Sequence, residues 1–285
     1  MAILMNERAV ALSQSEGLVL LSSGEAVLKG VLEAEAEVGM LAGPARGGFE
    51  LIFDGAERTG VDSILREYNV RLQRTADAVR GLRVARAAAE RGMASLAWVP
   101  NDELDECVSV LTGWRDAHLK SGVGMVILLE DNPAGCPVTC PRQTSQRLEL
   151  VAIEASDLES LKIAIDEALR LSEVAHAPVG IVVHQRVLRA CETVRAAPNS
   201  KSESLSAMLA RRRQREVARG AETNDVLRTS RRMELNEFSA MPIRGERVAT
   251  GFVTVGPAEG AMRHLVDVLG LHGRVPMLHL KLIEP

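Results

Sequence analysis

The densest run of chemically able side chains is Glu130-Asp131-Asn132-Pro133-Ala134-Gly135-Cys136-Pro137-Val138-Thr139-Cys140-Pro141-Arg142-Gln143. It offers two carboxyls, two thiols, two amides and a guanidinium directly after the apolar run Val123–Leu129. In open parallel sheets ligands sit beyond the carboxyl ends of strands, so a polar loop at that point is well placed for a site. Cys136 and Cys140, spaced C-x-x-x-C, amount to half of a metal site, but no second closely spaced Cys or His pair completes it. A substrate-facing loop, or a merely rigid one stiffened by Pro133, Pro137 and Pro141, is the better reading. Elsewhere catalytic signatures are sparse. The six histidines are scattered, with no H-E-x-x-H, and there is no G-x-S-x-G elbow or Walker A sequence. Gly256-Pro-Ala-Glu-Gly260 superficially resembles a phosphate loop but lacks the G-x-G-x-x-G spacing and a Lys-Ser/Thr pair, which leaves an ordinary strand-to-helix turn. Arg211–Arg213 reads as a solvated helix face.

The elements that must position these residues alternate short apolar runs with longer amphipathic ones. Leu18–Leu21, Met93–Val99, Val123–Leu129 and Val179–Val183 read as strands. Ser63–Glu90 is a long helical pattern rich in Ala, Leu and Arg, and Glu103–Leu119 and Asp157–Ser172 carry apolar residues at i, i+3, i+4. Asp157 is the expected N-cap of the last, and Leu158, Leu161, Ile163, Ile165, Leu169 and Leu171 form its broad apolar stripe. Strand–helix alternation with near-continuous apolar strands predicts an α/β fold, a parallel sheet with helices on both faces. From Val194 to Arg247 the chain turns polar and charged, as a linker or excursion does. Val248–Val255, Glu259–Leu269 and Val275–Leu282 then read as a closing β-α-β unit. The expected domains are residues 1–193, a linker over 194–247, and a partial second unit over 248–285.

Composition excludes several functions. Of 285 residues, 34 are Lys or Arg and 38 Asp or Glu, a net charge of −4 that lacks the basic footprint nucleic acid demands. Aromatic residues make up only 2%, too few for stacking on bases. No apolar run approaches the length of a membrane span, and Met1–Arg8 is charged too early for a signal peptide. Four cysteines do not make a disulfide scaffold, so a reducing, cytoplasmic setting is expected.

Several stretches carry a resemblance in order and spacing. They are Leu20-Leu-Ser-Ser-Gly-Glu-Ala-Val-Leu-Lys-Gly-Val-Leu-Glu-Ala34, Ala42-Gly-Pro-Ala-Arg-Gly-Gly-Phe-Glu50, Thr75-Ala-Asp-Ala-Val79, Ala87–Gly92, Val126–Pro133, Ile153–Asp157 and Pro178–Arg189. Together they resemble the alpha subunit of indolepyruvate ferredoxin oxidoreductase and, more broadly, the thiamine-pyrimidine-binding domain of 2-oxoacid:ferredoxin oxidoreductases. The first matches the family's L-x-G-N-E-A-x-x-x-G-x-x-E-A, the second its G-Y-P-G-T-P-S-S-E, and Glu130–Pro133 its strand ending in D-D-P-G.

The resemblance implies a subunit that contributes the pyrimidine-binding domain to a thiamine diphosphate-dependent complex. Thiamine diphosphate with Mg²⁺ would lie at an interface with a partner chain, because the G-D-G…N signature that holds the diphosphate is absent here, as are cysteine runs for iron–sulfur clusters. The partners implied are a second subunit with the diphosphate-binding domain and an electron-transfer protein, in a hetero-oligomer. In the family a Glu hydrogen-bonds the aminopyrimidine ring, which is general acid–base work. That Glu falls on Ala78, with Asp77 beside it, and the family's substrate-contacting Thr falls on Arg46. The resemblance places Pro44, Arg46, Asp77, Asp131, Asn132, Gly135, Cys136 and Gln143 at the cofactor end, with no metal ligand and no identified catalytic residue. Loss of the Glu keeps a second reading open, a structural or regulatory subunit that retains fold and assembly surface but not thiamine activation. A generic nucleotide- or acyl-CoA-binding domain rests on fold analogy alone.

Overall fold

The computed structural model describes residues 10–36, 38–46, 48–50, 61–114, 119, 123–132, 140–200, 223–239 and 250–284. Its elements run β1 (Leu18–Ser22), α1 (Ser23–Glu33), β2 (Val38–Pro44), α2 (Val61–Glu67), β3 (Arg71–Thr75), α3 (Ala78–Glu90), β4 (Ala94–Val99), a 3-10 turn (Asn101–Glu103) and α4 (Leu104–Thr112). The chain continues through β5 (Met125–Asp131), α5 (Pro141–Leu148), β6 (Ala152–Ala155), α6 (Leu158–Ala175), β7 (Val179–His184), α7 (Gln185–Leu188) and β8 (Cys191–Arg195). It closes with α8 (Thr223–Arg232), β9 (Glu237–Ser239), β10 (Phe252–Val255), α9 (Ala258–Val268), β11 (Met277–Leu280) and β12 (Leu282–Glu284).

Seven strands form the main sheet in the order β12-β6-β7-β5-β4-β2-β3. The six from β6 to β3 are parallel, and β12 pairs antiparallel with β6 at the edge. The α/β reading therefore holds. The central strands are buried on both faces: every residue of β4 is buried, as a sheet sandwiched between helices requires. On one face Leu28 and Leu32 of α1 pack with Leu161, Ile165 and Leu169 of α6, over Leu128 and Val183. On the other, Leu82 and Ala85 of α3 and Leu104 and Cys107 of α4 cover Ile127 and Leu129. Gly30 permits the closest contact between α1 and α6, because a Cβ there would fall 2.6 Å from the Lys162 carbonyl oxygen. Asp157 caps α6 as expected: its Oδ1 accepts from the Ser160 amide at 2.7 Å, and Ser160 Oγ accepts in return from the Asp157 amide.

The structure corrects several readings. The continuous pattern over Ser63–Glu90 is not one helix. Asn69, at φ 57°, turns the chain out of α2 into the edge strand β3 before α3 begins. That strand hides in the sequence because Arg71, Gln73 and Arg74 face solvent, so it shows none of the apolar run of a central strand. Strand β2 also escaped detection. Ile163 is not part of the buried stripe of α6, being 42% exposed, and Glu103–Leu119 shortens to α4 with its end at Gly113. The polar run after Val194 begins as packed structure: β8 pairs antiparallel with β1, and Ala197 and Asn199 return to α1. There the buried Lys29 Nζ sits among the carbonyl oxygens of Leu12, Gln14 and Ala197 and Asn199 Oδ1 at 2.6–3.2 Å. Burial lowers its pKa, and Glu33 opposes that shift.

The closing β-α-β is present as a three-stranded sheet ordered β10-β11-β9, with β10 and β11 parallel. It leans on the main sheet through Gly256 (φ +56°), where a Cβ would fall 2.0 Å from Glu154 Oε1. Arg211–Arg213, Gly135 and Cys136 lie outside the described residues. Among the described residues no helix is long and apolar enough to cross a membrane.

Candidate functional site

The chain leaves β2 for β3 on one side and returns to β4 on the other, so the loops at the carboxyl ends of β2 and β4 diverge and open a crevice. Two charged residues meet there. Arg46, two residues past β2, directs Nε to Glu103 Oε1 at 2.5 Å, with Nη1 3.6 Å from Asp102 Oδ2. Glu103 closes the 3-10 turn after β4 and is 2% exposed. Its other oxygen, Oε2, accepts the backbone N–H of Ala78 at 2.6 Å. Ala78 is the first residue of α3 and is fully buried. A carboxylate at a helix N-terminus answers an orphan amide and the positive end of the helix dipole together. The hydrogen bond to Glu103 raises the Arg46 pKa, so the guanidinium keeps its charge.

Residues 46 and 78, singled out by the resemblance, are thus joined through a third residue that the sequence did not single out. Alanine at 78 leaves room for the Glu103 carboxylate, and arginine at 46 neutralises it. Asp77 takes no part: it is the N-cap of α3, and its Oδ1 accepts from the Arg80 amide at 2.7 Å. Pro44 ends β2, and its carbonyl oxygen accepts from the Arg46 amide at 2.8 Å, which fixes the turn that presents Arg46.

A second carboxyl, Glu130, lies at the end of β5 on the opposite face from Asp131. Its Oε1 accepts from both Trp98 Nε1, at 2.5 Å, and the Gly48 amide, at 2.7 Å. Gly48 is required, since a Cβ would fall 2.2 Å from the Trp98 ring. Burial pushes the Glu130 pKa up, and the two donors to Oε1 oppose that shift without cancelling it. Among the described residues Oε2 accepts no hydrogen bond. Glu130 is therefore the carboxyl of this edge that burial biases toward its protonated form.

Asp131 and Asn132 follow on the same strand end, but Asp131 is engaged. Its Oδ2 accepts from Arg142 Nη1 at 2.7 Å, while Arg142 grips the buried Glu154 of β6 through Nε at 2.8 Å and Nη2 at 2.5 Å. The bond to Glu154, then that to Asp131, holds the Arg142 pKa above its ordinary value despite burial. This bidentate grip ties α5 to β5 and β6 and is structural in character. Gln143, next along α5, is exposed to solvent and converges with none of these groups. Cys140 occupies the N-cap position of α5 without a side-chain cap bond. Cys107 is buried in α4, and its thiol is pushed up to about 12 by burial, then by Glu103, Glu106 and Asp77, which makes it inert. Among the described residues no group of three His, Cys, Asp or Glu side chains is placed to hold a metal ion.

Sequence reading missed Glu103, and it placed Glu130 in the polar run without singling it out. Glu103 carried a usable signal, as the acidic residue that ends the short turn after the mostly apolar strand Ala94–Val99. Glu130 is the last outward step of an apolar strand, where a carboxyl is costly unless it is used.

No family model matches the chain, and no curated protein matches it in sequence. Solved structures do. A 2-oxoglutarate:ferredoxin oxidoreductase from Magnetococcus marinus, solved with 2-oxoglutarate, coenzyme A and succinyl-CoA bound, superposes with a TM-score of 0.60 at 14% identity. The match covers 93% of this chain and 54% of that one, so the chain spans about half the length of its neighbour. A split-gene transketolase, as an inactive β4 tetramer, superposes with a TM-score of 0.50 at 11% identity over 92% of this chain and 72% of that one. At these identities the likeness establishes the fold.

Proposed function

We propose that the chain is a subunit of a thiamine diphosphate-dependent, indolepyruvate-like 2-oxoacid ferredoxin oxidoreductase-type complex, to which it contributes the pyrimidine-binding domain. One observation carries this reading: the carboxylate missing from position 78 in sequence is returned to the same helix terminus in space by Glu103, 2.6 Å from the Ala78 amide nitrogen. The groups needed at the aminopyrimidine end of the cofactor, buried carboxyls on fixed donors, are present in Glu103 and Glu130. Thiamine diphosphate, when bound, supplies the nucleophilic carbon that adds to the keto group of a 2-oxoacid. Glu103, held between Arg46 and the α3 terminus, would be the carboxylate that accepts a hydrogen bond from a ring N–H. Glu130, which burial biases toward its protonated form, would be the group to exchange a proton there. Arg46, half-exposed with Nε on Glu103, would offer its remaining N–H groups to the substrate carboxylate. In this reading the diphosphate and Mg²⁺ are held by a second chain, which works with an electron-transfer partner. The reading includes a cytoplasmic hetero-oligomer, with residues 1–193 as the pyrimidine-type domain, 194–247 as linker and 248–285 as part of a second unit.

A second reading is favoured by the same network. Both Glu103 oxygens are already used within the chain, so the Arg46–Glu103 pair also suits a plug that keeps fold and assembly surface without activation. Dye reduction driven by a 2-oxoacid, measured on the complex purified through a tag on this chain, separates the two. The first reading expects turnover that falls about 100-fold or more in Glu103→Gln, as loss of an acid–base group does. Absence of turnover, or turnover indifferent to Glu103, supports the plug.

A further inference from the structure

The far edge of the main sheet carries a charge pattern that the crevice chemistry does not use. Residues 66–91 hold seven arginines against three acids, a net charge of +4 in a chain whose total is −4, which leaves −8 for the remainder. The fold gathers this excess on one side. Strand β3 ends the sheet order, paired with β2 on one edge and, among the described residues, with no strand on the other. Leu72 turns inward to pack against the core, while Arg71, Gln73 and Arg74 stand exposed. Alongside, α3 and its C-cap present Arg80, Arg83 and Arg91 in one stripe along the solvent face. Among the described residues Arg71, Arg83 and Arg91 enter no ion pair, and Arg80 reaches only Asp77, at 3.9 Å. An open edge offers a row of backbone donors and acceptors, which proteins ordinarily shield or use. Here Gln73 bends its side-chain amide onto the Arg74 carbonyl oxygen at 3.1 Å, the kind of donor that an added strand would bring.

The arginines decide which strand is admitted. Two copies of this chain placed edge to edge would set arginine against arginine, and like charges on facing strands repel whereas opposite charges attract. Nucleic acid is poorly served, because β3 and α3 contain no aromatic side chain on which bases could stack. We infer that the β3 edge is the docking surface for an acidic, extended segment of a partner protein, which adds to the sheet as a further strand with its carboxylates beside Arg71 and Arg74. Backbone pairing supplies the affinity and the carboxylates supply the selection. The stripe on α3 extends the positive field over the approach to the edge and speeds encounter with an acidic partner. The inference is independent of the thiamine reading, since no group of the crevice takes part.

The test is an amide chemical-shift titration of the full chain with short blocked peptides. These are alternating Glu-Val, alternating Lys-Val, and the Glu-Val sequence N-methylated at alternate residues, so that one edge cannot pair. Saturable shifts centred on β3 are expected for Glu-Val, weakening as salt is raised. Lys-Val and the N-methylated peptide should each bind weaker by about tenfold or more. Arg71→Glu, at an exposed position, should weaken Glu-Val binding about tenfold and leave the melting temperature unchanged. Lack of saturable shifts, shifts centred elsewhere, or equal binding by Arg71→Glu overturns the inference. So does equal binding of the N-methylated peptide, which would mean charge attraction without strand pairing, or tighter binding of a deoxythymidine oligonucleotide than of Glu-Val.

Discussion

Replacing Ala78 with glutamate restores the residue type that the resemblance expects, yet the geometry makes it harmful. The Glu103 carboxylate already occupies this corner, 2.6 Å from the residue 78 nitrogen, and the Ala78 side chain is fully buried. A second carboxylate about 5 Å away repels the first by about 3 kcal/mol at an effective dielectric near 20. It also lies against Leu82 and Val99 with Arg46 already committed, and a buried charge without a partner costs about 3–5 kcal/mol. Glu103→Gln alone is mild, about 1 kcal/mol, because the amide oxygen still accepts from Ala78 and the ion pair it gives up is half-exposed on the Arg46 side. In the double variant the introduced carboxylate meets a neutral neighbour and inherits Arg46. We therefore expect Ala78→Glu/Glu103→Gln to be about 3 kcal/mol more stable than the sum of the single changes. Urea unfolding of the four proteins at neutral pH measures this coupling. Additivity within about 0.5 kcal/mol would refute the claim that positions 46, 78 and 103 act as one unit.

Three further outcomes follow from the same structure. Burial raises the Glu130 pKa above the ordinary 4.5, so the folded chain keeps a proton the unfolded chain releases. Stability should decline as pH rises from 4.5 through the folded value, and Glu130→Gln should remove that slope in denaturation measured across the range. For Glu259 burial opposes the charged form, but the bond and charge of His279, with Arg263 and Ser156, outweigh it and hold the carboxyl at about 2 against an ordinary 4.5. Allowing for solvent screening of this half-buried group, the pair contributes about 2 kcal/mol above pH 4.5, lost as pH falls toward 2, so Glu259→Gln should flatten the acid limb of the stability curve. Gly256→Ala combines a φ of +56° with a Cβ 2.0 Å from Glu154 Oε1. It should cost about 2 kcal/mol or more and lower the melting temperature, whereas an unchanged value would mean the closing unit does not press on Glu154.

How much of this was legible in the sequence depended on burial. Strands β4, β5 and β7 announced themselves because parallel strands covered on both faces read as apolar runs, and Asp157 announced α6 because its cap is a local device. Strand β3 did not, since an edge strand with outward Arg71 and Arg74 keeps no periodicity of its own and owes its place to pairing with β2. At the site, Arg46 was legible as a position where the resemblance expects another residue, but its partner was not. Glu103 lies 57 residues away, and only the strand order brings the turn after β4 beside the loop after β2. Glu130 looked like one acid in an acidic loop. Its distinction comes from Trp98 and Gly48, which no local reading connects to it.

The central claim is that this chain holds the pyrimidine end of thiamine diphosphate against a second subunit. Calorimetric titration of thiamine diphosphate into the complex purified through this chain, with and without Mg²⁺, tests it most directly. The account predicts saturable, Mg²⁺-dependent binding that needs the partner chain and weakens in Glu103→Gln. Heat indistinguishable from dilution in the intact complex, with Mg²⁺ present, would contradict it.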